Sequence, residues 1–140
     1  MAAARRNPLA RAFTLIELIA VIVVLAILAG VAIPKYFDYA ANAKESSTKG
    51  TLGGVRSAIA NFYANSAVSG TPAYPSLVQL QTTGTVMQEP ISADPYNNDA
   101  TIGAASWAAT PPVAGTNGWN YDAATGRFWA NSSTAGANTW

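Results

Sequence analysis

Neither cysteine nor histidine occurs among the 140 residues, and each absence removes a class of chemistry. Without cysteine, loops cannot be stapled by disulfides as they are in many small exported domains. Without cysteine or histidine, the usual zinc sites, Ser-His-Asp triads and Cys-His dyads are all excluded. Charge is also scarce: Asp, Glu, Lys and Arg make up 11% of the chain, 8 basic against 7 acidic. Bulk charge therefore offers no polyphosphate-binding surface, and no nucleic-acid partner is expected. A hydrolase working by carboxylates alone, for instance Glu89 with Asp94, finds no supporting spacing, so the chain reads as non-enzymatic with no required cofactor. What the chain does have is apolar: half its residues are hydrophobic by a broad count. That leaves room for one membrane segment and one small exported domain of about 105 residues.

The apolar residues concentrate near the start. Phe13 to Ile33 is a run of 21 residues, 14 of them Leu, Ile, Val or Phe, broken by a single charge at Glu17. As a helix this run reaches roughly 30 Å, the thickness of a bilayer's hydrocarbon core. Its large apolar side chains contribute roughly −4 to −8 kcal/mol to insertion, against about +3 kcal/mol for one central charge. Insertion wins, yet a carboxylate at this depth still needs a proton, a cation or water. Arg5, Arg6 and Arg11 precede the run with no acidic residue among them, which keeps the first dozen residues cytoplasmic and exports everything after Ile33. Two plainer readings share these features. One is a secretory signal cut after Ala32, although Glu17 is out of place in its apolar region. The other is a signal anchor in which Glu17 is incidental.

The order of a basic leader, Phe13-Thr14-Leu15-Ile16-Glu17-Leu18, an apolar run and Ile33-Pro34-Lys35-Tyr36 resembles the prepilin-type N-terminus of type IV pilins and type II secretion pseudopilins. The resemblance covers roughly residues 5 to 65. It implies cleavage between Ala12 and Phe13 by a prepilin peptidase and N-methylation of Phe13, with Ala12 standing where the family usually has Gly. It further implies that Glu17 meets the Phe13 amine of a neighbouring subunit during assembly. The expected partners are related pilin subunits, the peptidase, inner-membrane assembly machinery and, before assembly, membrane lipids. The implied location is the inner membrane, single-pass, and then a surface pilus or a periplasmic pseudopilus. The leading expectation is a structural filament subunit; a secretion pseudopilin is the alternative, and a minor adhesive or DNA-uptake pilin a further one. Loss of the leader takes away three arginines, leaving 5 basic and 7 acidic side chains.

Beyond the membrane, Pro34 removes a hydrogen bond to the Gly30 carbonyl, and Gly30 itself weakens the helix. Their shared turn is expected to form a kink or a joint, or else to end the helix at the membrane surface; the family implies a continuous helix. From Lys35 to about residue 66, Leu52, Val55, Ile59, Phe62 and Tyr63 recur at three-and-four spacing and predict an amphipathic helix. Tyr36, Phe37 and Tyr39 suit an aromatic collar or subunit contacts, and Gly50, Gly53 and Gly54 suit close helix approach.

After Val68 the composition turns to Ser, Thr, Gly, Pro, Ala and Asn, so loops outweigh regular structure. The clearest element is a hairpin: Gly118–Tyr121 and Arg127–Asn131 joined by Asp122–Gly126, with Trp119, Tyr121 and Phe128 set to cover the helical stripe. Glu89, Asp94, Asn97, Asn98 and Asp99 offer hard oxygen ligands without a recognised calcium-loop spacing. Calcium at Asp94 and Asp99 is therefore a weak candidate. The expected organisation is an α+β, pilin-like fold. It comprises a leader (1–12), a transmembrane and assembly helix (13–34), an amphipathic helix (35–66) and a loop-rich domain with a small antiparallel sheet (67–140).

Overall fold

The computed structural model describes residues 13–140; the expected leader, with Arg5, Arg6, Arg11 and Ala12, lies outside the described residues. The chain divides into two units, residues 1–40 and 41–140. The first element, α1 (Leu15–Val68, 54 residues), carries Pro34 inside it. The helix continues through Pro34, so it does not stop at this turn. Within the first unit every large apolar side chain from Phe13 to Ile33 is exposed, between 42% at Ile19 and 88% at Phe13. Tyr36, Phe37 and Tyr39 are exposed as well.

In the second unit, α1 buries Thr48, Leu52, Val55 and Ile59, spaced so that they share one stripe. Phe62 is half-buried, and Tyr63 lies at the edge, stacked on Tyr74 with ring centroids 4.6 Å apart. The stripe joins a core of Leu80, Ile102, Trp119, Tyr121, Phe128, Ala130 and Ala137. Trp119 and Phe128 stack at 5.4 Å in its centre. Burial of these aromatic and branched side chains supplies the apolar area that a body without disulfides depends on.

A one-turn helix, α2 (Leu77–Gln81), starts at a capping box in which Ser76 and Gln79 satisfy each other's backbone N–H groups, and it delivers Leu80 to the core. The sheet has three strands in the order β1 (Ile102–Ala104), β2 (Trp119–Asp122), β3 (Arg127–Ala130). The predicted hairpin is present, with Tyr121 opposite Phe128 and Asp122 opposite Arg127. The expected all-antiparallel sheet is corrected in one respect: β1 runs parallel to β2, Ile102 beside Trp119. The long connection between Ala104 and Trp119 explains this, because it gives the chain enough length to cross back and start β2 in the same direction.

That connection is held by asparagine side chains where an exported domain would often use a disulfide. Buried Asn131 donates to the carbonyls of Ala114 (2.8 Å) and Asn117 (2.7 Å) and accepts from Ala114 N–H (2.8 Å) and Asn120 Nδ2 (2.8 Å). Its amide thereby fills its four main bonding positions. Asn138 donates to the Pro111 carbonyl at 2.7 Å and Trp129 Nε1 to the Pro112 carbonyl at 2.9 Å, fixing the same segment from the core side. At the hairpin turn, Asp122 accepts from Ala124 N–H and Thr125 hydroxyl, both 2.9 Å, and from Trp107 N–H at 3.0 Å. Gly126 closes the turn at φ +70°, packed against the Tyr74 ring so closely that a side chain there would overlap it. Tyr121 donates its hydroxyl to the Pro75 carbonyl at 2.7 Å, and burial, with Asp122 and Tyr74 nearby, pushes that hydroxyl's pKa up to about 12.

Candidate functional site

The residues that the sequence marks for function gather at the start of α1. Thr14 stands at the N-cap position and Glu17 three residues into the helix. Thr14 Oγ accepts from Glu17 N–H at 3.2 Å, while Thr14 N–H and its hydroxyl both donate to Glu17 Oε2 at 2.8 Å. This is a capping box, with two otherwise orphaned N–H groups satisfied reciprocally. Glu17 therefore has a local role that the sequence reading passed over. The signal was present, since Thr14-Leu15-Ile16-Glu17 before an apolar run has the capping-box pattern. The carboxylate also sits where the helix dipole favours negative charge. Oε1 receives no hydrogen bond among the described residues. Phe13, 88% exposed, lies immediately before this cap, and Ala12, its expected cleavage partner, is outside the described residues.

From Leu15 onward the helix holds an 18-residue window of mean hydropathy 3.0, none of it buried. Among the described residues α1 is the one helix long and apolar enough to cross a membrane. Fourteen large apolar side chains exposed together would cost on the order of 20 kcal/mol in water relative to burial. Gly30 has open space around its Cα, as do Gly50, Gly53 and Gly54; no close helix approach occurs at these positions within the single chain.

The weak calcium candidates are not brought together as a site. Asp94 and Asp99 pair through their main chains, Asp94 N–H donating to the Asp99 carbonyl at 2.9 Å. Their carboxylates are otherwise engaged. Asp99 accepts from Thr101 N–H at 2.6 Å within its own turn. Asp94, fully buried, accepts from the Thr48 hydroxyl at 3.3 Å and Tyr96 N–H at 3.4 Å. Glu89 lies elsewhere, lining a cleft with Leu80, Met87 and Ile102. Among the described residues no three acidic side chains converge, whereas calcium takes six to eight oxygen ligands. Burial raises the Asp94 carboxyl above its usual range, an effect partly offset by its two hydrogen bonds and by Lys44, and its Oδ2 has no partner. Asp94 thus acts as a buried strut between the loop and α1.

Comparison with known proteins agrees with the N-terminal reading. A family model described as the prokaryotic N-terminal methylation motif matches residues 8–33. The type IV major pilin protein PilE1 of Neisseria gonorrhoeae is 46% identical over 59 residues, 42% of this chain and 36% of that protein. The fimbrial protein EcpC of Eikenella corrodens is 40% identical over 58 residues, 41% of this chain and 38% of that protein. The type IV major pilin protein PilA of Myxococcus xanthus is 40% identical over 63 residues, 45% of this chain and 29% of that protein. The match thus spans about a third of the length of these relatives. No solved structure matches the chain. The methylation motif, the long apolar helix and these relatives make the N-terminal segment of the chain similar to that of type IV pilins.

Proposed function

We propose that the protein is a structural subunit of a type IV pilus-like filament, assembled through the N-terminal half of α1. The observation that carries this reading is the exposed apolar helix headed by the Thr14–Glu17 cap, in a segment similar to major pilins. In this reading residues 1–12 are a leader, 13–34 the membrane and assembly segment, 35–66 the amphipathic helix and 67–140 the exposed body. The subunit first spans the inner membrane once, with the leader cytoplasmic. Prepilin peptidase then cleaves between Ala12 and Phe13 and the new amine is methylated. Glu17 receives that amine from a neighbouring subunit. An ammonium and a carboxylate desolvated together attract strongly, and either alone is heavily penalised, so the pair sets the register between helices. Gly30 and Pro34 provide a joint that lets the segment adjust during assembly. The work is mechanical rather than catalytic.

The absence of cysteine favours a second reading, a pseudopilin of a type II secretion system, because many pilins close a C-terminal loop with a disulfide that this chain cannot form. Fibre abundance on the cell surface separates the two. For both, Glu17→Gln keeps the protein in the membrane fraction and removes most filament; abundant normal filaments from the variant would refute the assembly role.

A further inference from the structure

Strand β1 lies at the edge of the sheet, with β2 on one side and no strand on the other among the described residues. The Thr101 carbonyl accepts from Trp119 N–H at 3.0 Å, and Ala105 N–H donates to the Tyr121 carbonyl at 3.1 Å, so both residues turn these groups toward β2. The alternation of a strand then turns the N–H and C=O groups of Ile102 and Ala104 the other way. One of these outward groups has a partner among the described residues: the Ile102 carbonyl accepts from Gln81 Nε2 at 3.0 Å. The primary amide of Gln81 thus stands where a peptide group of a further strand would bond. Ala104 is exposed, and β1 contains neither a proline nor a charged side chain to blunt the edge.

A cleft opens at each end of this edge. The first, about 280 Å³, is lined by Leu80, Met87, Ile91 and Ile102, together with Glu89. The second, about 290 Å³, is lined by Leu77, Ala104, Ser106, Tyr121 and Ala124. Unpaired main-chain groups beside apolar clefts suit an extended peptide, whose backbone bonds give affinity while the clefts select its side chains. Glu89 makes no ion pair among the described residues, which favours a basic residue in the incoming segment. A second copy of this body has its own cations engaged already. Lys44 and Arg127 lie over Tyr96 and Trp107, Lys49 pairs with Glu45, and Arg56 donates to the Phe128 carbonyl.

We propose that the β1 edge takes up an extended segment of another polypeptide, apolar with one basic residue, as a further strand of the sheet. The segment bonds the main chains of Ile102 and Ala104, sets apolar side chains in the two clefts and brings its basic residue to Glu89. Gln81 gives up the Ile102 carbonyl on entry, so in the free protein it competes with the peptide. This pairing uses the body and does not rest on filament assembly.

The test uses the full chain in detergent micelles and, as probe, a short capped peptide of alternating valine and threonine around one lysine. Binding should saturate and should slow amide hydrogen exchange at Ile102 and Ala104. The same peptide with alternate main-chain nitrogens methylated, so that one edge loses its donors, should bind roughly tenfold or more weakly. Ala104→Pro should weaken binding by a similar factor. An edge strand accepts proline where the N–H points outward, so an unchanged thermal midpoint is expected for this variant. Gln81→Ala should tighten binding severalfold by removing the competitor, and glutamate in place of the peptide's lysine should loosen it. No saturable binding, or equal binding of the methylated or the glutamate peptide to the wild-type chain, would overturn the proposal. Dimers of the chain alone that Ala104→Pro dissolves would assign the edge to a second copy and overturn it as well.

Discussion

Asn131→Ala tests how a body without disulfides keeps its longest loop in place. The substitution removes four hydrogen bonds at once, leaving Ala114 N–H, the Ala114 and Asn117 carbonyls and one Asn120 bond without their partner. At about 1 kcal/mol net for each bond, the loss is about 4 kcal/mol, and more wherever water cannot reach the abandoned groups. That is a large part of the stability of a body of this size, since small domains have only about 5–15 kcal/mol in total. With about 4–8 °C per kcal/mol for a domain of roughly 100 residues, the midpoint should fall by about 15–30 °C. The assay is thermal unfolding of the full chain in micelles, followed by tryptophan fluorescence. Trp129, whose Nε1 donates to Pro112, reports on the same loop. Asn138→Ala, which removes the single side-chain bond to Pro111, serves as the scale and should cost about 1 kcal/mol. A loss at Asn131 no larger than at Asn138 would show that the asparagine network is incidental to the loop.

Two further substitutions probe the body. Asp94→Asn should stabilise the protein at pH 7 by about 1 kcal/mol, because it removes a buried charge with an unpartnered oxygen while keeping an acceptor for Thr48. Since burial raises the folded pKa of Asp94, the wild-type carboxyl favours the fold below the unfolded carboxylate range and disfavours it as pH rises through the folded value. The gain should therefore vanish near pH 3 in paired melts, and a variant less stable at pH 7 than at pH 3, each relative to wild type, would contradict the strut reading. Asp99 and Asp122 have lowered pKa values, held down first by hydrogen bonds from Thr101 and Trp107 respectively. Their stabilisation is lost as pH falls, and it cancels in the same comparison. Gly118→Ala should cost about 2–3 kcal/mol, because its Cβ would overlap the Asp99 carbonyl oxygen, a backbone atom that already accepts from Asp94. A melt within 3 °C of wild type, roughly the effect of half a kcal/mol, would show that the loop moves aside freely.

The elements with strong local signals were legible in the sequence. Three-and-four spacing at Leu52, Val55 and Ile59 marked the buried stripe, and the Asp122–Gly126 turn between aromatic segments marked the hairpin, whose aromatics are core as expected. β1 is three residues long and α2 five, too short for periodicity to register, although Ser76 and Gln79 had the spacing of a cap. The parallel pairing of β1 depends on where a long loop returns, which local pattern does not encode. Asn131 and Asp94 show the same limit from the side-chain end. Asn131 read as the end of a hairpin strand and Asp94 as a turn residue or weak calcium ligand, and their roles come from partners 17 and 46 residues away. At the helix start, Glu17 stood out because a carboxylate is costly in an apolar run. Its first partner proved to be Thr14, three residues before it, and the assembly contact proposed above would be a second demand on the same group.

The most direct test of the filament account is the intact mass and N-terminal sequence of the protein recovered from its native membranes. The account expects a chain beginning at Phe13 with one additional methyl group on its amine. A chain beginning after Ala32, or one retaining Met1, would leave Glu17 no amine to meet and would contradict assembly through this helix.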